Sequence, residues 1–277
     1  MAIELAIKFS PYVDEQFTKE SKKEVLTNKD FDWDGAKAIK IYKVTTASMN
    51  DYDRDGTGAN ASRYGVVQGL DATTQTMPLT KDRSFTFAID KMDEEETVGQ
   101  LKAATALARQ IREVIIPEID TWLYSVMASN AGTTPVAKAL TSDNIYTEIL
   151  NAGQALDNAF VPETDRYLLV TPAIYLLMKQ SKEITMETNI GSEMRIRGVI
   201  AMIDGASVIK IPANRLPAKF GFMMIHPSAT AAPTKLQDYK IHQDPPGISG
   251  SLVEGRIVYD AFVLDNKTKA IYLQKTT

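Results

Sequence analysis

Apolar residues recur at steps of three and four over one stretch longer than any other in the chain, Glu94 to Asn130. Leu101, Ala104, Ala108, Ile111, Ile115, Ile119, Trp122 and Val126 fall on one line, and Leu107, Val114, Leu123 and Met127 widen it. The spacing averages near the helical period and predicts an amphipathic helix, roughly 55 Å long at its full extent. Asp93 ahead of Glu94, Glu95 and Glu96 predicts an N-cap, a capping-box partner and negative charge against the positive helix end. Asn130-Ala131-Gly132 predicts a left-handed C-cap. Pro117 interrupts the chemistry but not the pattern. Inside a helix it removes a hydrogen bond and clashes with the preceding turn, at about 3 kcal/mol. Either two helices meet near Ile116 or one helix kinks, and the unbroken stripe favours the single kinked helix.

Period two governs the flanks. Ile39, Ile41 and the run Tyr42 to Val44 alternate with Lys37, Lys40 and Lys43, predicting a half-buried strand over Ala36–Thr45. Phe85, Phe87 and Ile89 share one face of a second strand, Ser84–Asp90. Between them, residues 47–80 carry scattered glycines and a threonine-rich return, predicting a long two-stranded excursion whose tip is too polar to bury itself. After the long helix, Ser142 or Asp143 caps a helix over Asn144–Phe160, with Ile145, Ile149, Ala152, Leu156 and Phe160 on its core face. Arg166–Thr171 predicts a fully buried strand, and Pro172 opens a helix through Lys179. Val199–Ile203 and Ser207–Ile211 flank an Asp204-Gly205 hairpin turn. Thr141 to about Ser228 is therefore an α/β unit. Tyr239–His242, Leu252–Leu264 and Ala270–Gln274 predict closing strands that pair with the early ones and leave that unit inserted. Residues 1–35 hold few anchors and predict an arm that is disordered or packs on something else.

Composition then removes function classes. The 277 residues are 44% hydrophobic, enough for a real core, and carry a net charge of −4, which marks no general nucleic-acid binder. No cysteine is present, so disulfides, thiolate metal sites and thiol catalysis are all excluded. No apolar run is long enough for a membrane span, and the first residues lack a signal-peptide layout, so a cytoplasmic product is expected.

Motifs add little chemistry. Asp51-x-Asp53-x-Asp55-Gly56 matches the start of a calcium loop, but Ser62 stands where a bidentate glutamate is needed. A polar turn is the favoured reading, with a weak cation site left open. Gly56-x-Gly58-x-x-Ala61 has no following helix. His226 and His242 stand in no metal-ligand spacing, and Gly247-Ile248-Ser249-Gly250-Ser251 misses the nucleophile elbow at its last glycine. No cofactor site and no catalytic constellation emerge, so no enzyme is expected.

The run Leu79–Thr97, with Lys81-Asp82-Arg83 and Asp93-Glu94-Glu95-Glu96, resembles the approach to the spine helix in major capsid proteins of tailed bacteriophages with the Hong Kong 97-type fold. Val114–Asp120 resembles the middle of that helix. Met202–Val208 with Ile211-Pro212, and then Val258–Val263, resemble the later part of the family. The resemblance implies an α+β fold with a long spine helix, an N-terminal arm (1–35), an extended β-loop (47–80) and an axial domain (141–230). The peripheral domain would gather its first strand (36–46), the spine region (81–140, helix 94–130) and the closing strands (231–277). The implied function is a shell subunit forming hexamers and pentamers around double-stranded DNA, assembled in the host cytoplasm. A separate scaffolding protein and a portal would be its further partners. Tyr52, Asp53, Arg54, Asp55, Asp82 and Arg83 become the expected inter-subunit residues. An encapsulin-like cargo compartment shares the fold expectation, and a calcium-dependent binding module is the reading from a different class.

Overall fold

The computed structural model describes residues 21–30, 38–56, 62–96, 102–186 and 202–277. Expectations that fall on other positions, among them most of the arm, Leu101 of the stripe and the start of the Val199 strand, lie outside the described residues. The chain divides into two units, Gly35–Pro78 and a larger one made of Met1–Asp34 with Leu79–Thr277.

The small unit is a ribbon. Strand β1 (Ala38–Val44) runs antiparallel to β2 (Ala72–Pro78), with Ala38 opposite Pro78 and Val44 opposite Ala72. The expected first strand is present, but among the described residues its partner is the return of the excursion and not a closing strand. The β-branched run Thr73, Thr74 and Thr76 suits a strand, and pairing it with β1 closes a far shorter loop than pairing with residues near the chain's end.

The larger unit is built on the long helix, which lies between two sheets. The first sheet sets β10 (Gly250–Tyr259) between β3 (Lys81–Asp90) and β9 (Thr234–Gln243), all antiparallel. Alternation places Phe85, Tyr239, Ile257 and Tyr259 on one face, where Ile111, Ile115, Ile119 and Trp122 of the helix cover them. Gly255 lies opposite both Phe85 and Tyr239, and the two rings fill the space over it. A Cβ there would stand 2.2 Å from the Phe85 ring.

The second sheet has the order β12-β7-β4-β6-β5, from Ile271–Lys275, Phe220–Ile225, Tyr167–Val170, Ala206–Lys210 and Met202–Ile203. The β4–β6 pair is parallel and the other three are antiparallel, while β8 (Thr230–Ala231) and β11 (Phe262–Val263) pair antiparallel on their own. Leu168, Val170, Phe222 and Met224 point to a core shared with two helices, Ile145–Asn158 and Pro172–Gln180. Leu169, Met223, Ile225 and Ile271 point the other way, to Leu123, Tyr124 and Met127 of the long helix. Burial on both faces explains why β4 and β7 are continuous apolar runs rather than alternating ones. Asp204 and Gly205 turn the β5–β6 hairpin at φ 48° and 72°, as a tight primed turn requires.

Several expectations change. The chain's last strand, β12, joins the α/β unit's sheet rather than the sheet of the early strands. Its register there buries four of its five residues, and residues 132–138 run alongside it, with Leu273 N–H donating to Thr133 O. The helix does not start at Asp93. A short helix, Lys91–Glu96, starts earlier, with Met92 N–H donating to the Asp90 carboxylate at 2.8 Å. A continuous helical path then runs from Ala103 to Ser129. Its middle, Ile111–Ile115, is a π turn, and Ile116 N–H donates to Ile111 O. The wider turn sits immediately before Pro117, where the proline ring needs room against the preceding carbonyls. The C-cap is not left-handed, since Asn130 has φ −109°. Gly132 serves close approach instead, because a Cβ would stand 2.5 Å from the Thr268 backbone. Phe160 is not on the core face; it is 96% exposed at φ 57°. The helix ends at Asn158, and Phe160 occupies the reversed position that follows, where left-handed backbone turns its side chain out.

Candidate subunit interface

The ribbon narrows to a tip held by side-chain hydrogen bonds and isolated backbone ones rather than by a ladder. Ser48 N–H and hydroxyl both donate to the Gln68 amide oxygen, Asn50 Nδ2 donates to Tyr64 O, and Asp53 N–H donates to Arg63 O. The Asp53 carboxylate accepts from the amides of Asp55 and Gly56 at 3.2 and 2.8 Å. That is an Asx-type turn, and it accounts for the acidic repeat as local geometry. Gly56 and Gly65 adopt φ 66° and 85°, and at Gly65 a Cβ would also collide with Asn50. Tyr52 and Tyr64 meet edge to face, ring centroids 5.1 Å apart.

Four of the six expected contact residues, Tyr52, Asp53, Arg54 and Asp55, are thus gathered on this tip. Tyr52, Arg54 and Asp55 are exposed and Asp53 is half-buried. What sequence reasoning missed is the apolar half of the ribbon. Tyr42, Val44, Met49, Tyr64, Val67 and Leu70 are each 60% or more exposed. The run Tyr64-Gly65-Val66-Val67 is apolar in the sequence, a signal that the expectation of a polar tip over residues 47–80 passes over.

Asp82 and Arg83, the other two, lie in the larger unit on β3 and point to opposite faces. Asp82 receives a two-pronged contact from Arg256 across the outer face of the sheet, and the Arg256 guanidinium draws its carboxyl below the usual carboxylate range. Exposed as it is, such a pair fixes register more than it stabilises. Arg83 Nε donates to Glu118 Oε1 of the long helix at 2.8 Å, and the same oxygen accepts from Tyr259 OH at 3.0 Å. Burial, with Glu118 adding to it, pushes the Tyr259 phenol above its ordinary range. These groups line a groove of about 560 Å³ between helix and strand, walled also by Lys81, Thr121, Trp122 and Ser125. Lys81 Nζ sits 3.8 Å from the centroid of the Trp122 ring. The groove therefore offers two cations, one carboxylate and two aromatic walls.

Asp260, next to Tyr259 in the chain, ties down the residue that precedes β3. One carboxylate oxygen accepts from Thr80 N–H and hydroxyl, the other from Trp122 Nε1 and Ala261 N–H, all between 2.7 and 2.9 Å. The histidines have local partners. His226 Nδ1 accepts from Ser228 N–H and lies 2.8 Å from its hydroxyl, while His242 and Glu254 lie 3.3 Å apart on the sheet surface. Among the described residues, no three His, Cys, Asp or Glu side chains are placed to hold a metal ion.

No protein-family description matches the sequence, and no curated protein sequence does either. The fold does have relatives among solved structures. The structure from Mycobacterium phage Che8 superposes with a TM-score of 0.80 at 18% identity, covering 98% of this chain and 96% of that one. The capsid of cyanophage P-SCSP1u gives 0.74 at 14% identity, covering 98% and 93%. The capsid of Myoviridae phage XM1 gives 0.66 at 13% identity, covering 100% and 99%. The fold is that of tailed-phage capsid proteins. A virus-like particle from Pyrococcus furiosus shares it at a TM-score of 0.60 and 11% identity, covering 93% of each chain. Among the described residues no helix is long and apolar enough to cross a membrane.

Proposed function

We propose that this chain is a major capsid protein, a non-enzymatic subunit that assembles through hexamers and pentamers into an icosahedral shell around double-stranded phage DNA. The observation that carries the reading is the end-to-end likeness to shell structures, nearly the whole of both chains being matched. The ribbon supports it independently, since a two-stranded element with so many exposed apolar side chains is marginal in water and gains from a partner surface. In Hong Kong 97-type terms residues 47–80 form the extended loop, with β1 drawn into it by its pairing to β2 rather than into the peripheral domain, the second sheet and its helices the axial domain, and the long helix with the first sheet the peripheral domain. The loop tip, where Asp51, Asp53 and Asp55 stand beside Arg54, and the groove, where Lys81 and Arg83 stand beside Glu118, are the mixed-charge surfaces assigned to contacts between neighbouring copies. A scaffolding protein and a portal are the further partners of this reading, and the virion is its location.

Deletion of residues 51–69 tests the loop's role. The expected product is a folded chain that builds no shells; normal particles from it would overturn that role. The Pyrococcus furiosus particle keeps a second reading in view, a compartment of encapsulin type with protein cargo. Purified particles filled with double-stranded DNA support the capsid; particles carrying protein and no nucleic acid support the compartment.

A further inference from the structure

The helix Ile145–Asn158 ends in a turn that glycine usually closes, and here phenylalanine closes it. Phe160 N–H donates to Asp157 O and Val161 N–H to Leu156 O. Those are the paired bonds of a Schellman cap, with Phe160 as its left-handed residue at φ 57°. Val161 packs back onto the core that holds Leu156, so the cap is complete without the phenyl ring. The buried Arg166 clamps the following residues, donating to Val161 O at 2.6 Å and Pro162 O at 2.8 Å and pairing with Asp157 at 2.7 Å. Glycine would make this turn without the steric cost of a Cβ, yet the residue is an aromatic one, 96% exposed. A bulky side chain held outward on a clamped, strained turn is an anchor shaped for a surface outside its own chain.

The charges around the ring point to that surface. Glu163 and Asp204 are both exposed beside the turn. Asp204 lies against Gly153 of the same helix, where a Cβ would stand 2.3 Å from its Oδ2. This is the end of the second sheet at which the parallel strands β4 and β6 begin. At their other end, about 13 Å away along the strands, Lys210 closes β6. Its Nζ lies 4.5 Å from the Tyr175 ring centroid, and Lys179 Nζ lies 5.2 Å from the same ring. Leu176, next to Tyr175 and one turn before Lys179, is 54% exposed. Lys182 and Glu183 of the next short helix cancel in charge. One end of the sheet therefore carries a phenyl ring beside carboxylates, and the other a leucine beside ammonium groups.

We propose that Phe160 of one copy seats on Leu176 of a second copy, between Lys179 and Lys210, in a head-to-tail contact that repeats around a ring. The inference rests on the shell reading and names one surface within it. The two patches differ and lie at opposite ends, so each copy offers a knob to one neighbour and a seat to another. Such a heterologous contact closes into a ring where its rotation allows. The Glu163 and Asp204 carboxylates then meet the Lys179 and Lys210 ammonium groups around the apolar centre, excluding the reversed docking in which like charges face each other.

The chain has no cysteine, so Pro162→Cys with Ala173→Cys, both at exposed positions beside knob and seat, offers only these two thiols and leaves Phe160 and Leu176 in place. Treatment of the assembled protein with a short bismaleimide is expected to give a covalent ladder ending at pentamer or hexamer on a denaturing gel, while either single variant stays monomeric. A ladder that stops at dimer, or dimers from Pro162→Cys alone, overturns the head-to-tail contact. Phe160→Gly is expected to melt about 2–4 °C higher, as strain is relieved, and to need more than tenfold more protein to assemble. Assembly of that variant at the wild-type concentration overturns the proposal as well. Electron microscopy separates the two claims. Shells without the ladder overturn the contact and keep the shell reading, a ladder without shells keeps the contact and overturns that reading, and the absence of both overturns both.

Discussion

Asp260, 4% exposed, accepts four hydrogen bonds and so fixes three separate points: the chain's return at Thr80, the Trp122 indole and the end of β10. Removing one acceptor from buried donors costs about 1–3 kcal/mol per orphaned group. Asp260→Ala is expected to lose roughly 3 kcal/mol, read as a lower denaturant midpoint with an unchanged slope. A loss under 1 kcal/mol would mean that water replaces the carboxylate. Phe160 is the converse case. Its reversed backbone costs about 1–2 kcal/mol in a residue with a Cβ, and its side chain, fully turned out, returns nothing to this chain's own core.

The element that decides the larger unit is the long helix, and its irregularity has a reading in the sequence. Ile111, Ile115 and Ile119 are two successive steps of four. In a regular helix each such step runs about 40° past the previous residue, so three isoleucines would drift off the first sheet. The π turn over Ile111–Ile115 takes up that excess and opens the ladder just ahead of Pro117. Pro117→Ala should therefore change stability by less than about 1 kcal/mol, not the roughly 3 kcal/mol of a proline in a regular helix interior. Chemical denaturation measures it, and a gain near the larger value would show that the ring is strained where it stands. The strand β12 is a comparable case. Its apolar character is plain in the sequence, but β7, a neighbour far closer in sequence, outcompetes the early strands for it.

At the scale of the whole molecule, the proposed shell role would spread its contacts over ribbon and groove and bind by area, with an exposed ion pair adding about 0–1 kcal/mol. Arg54→Ala is accordingly expected to raise the concentration needed for assembly by less than about tenfold, since tenfold corresponds to about 1.4 kcal/mol. Light scattering across a dilution series reads it. A complete block by that one change would place the binding energy in a hot spot at the tip and not in distributed contact.

What the sequence alone determined is whatever repeats within a few residues. The helical period of the spine, the alternation of β3, the Asp204-Gly205 turn and the proline-led helix after Thr171 are all set by backbone torsions and nearest-neighbour sterics. Tertiary structure decided which strand lies beside which, because several apolar strands of similar length satisfy the same pattern and only packing on both faces selects among them. It alone joined Asp120 to Arg215, 95 residues apart, and Asp260 to Thr80, 180 apart. Charges so distant in the chain have no signature in local pattern, and folding brings them together only by burying the surfaces that carry them.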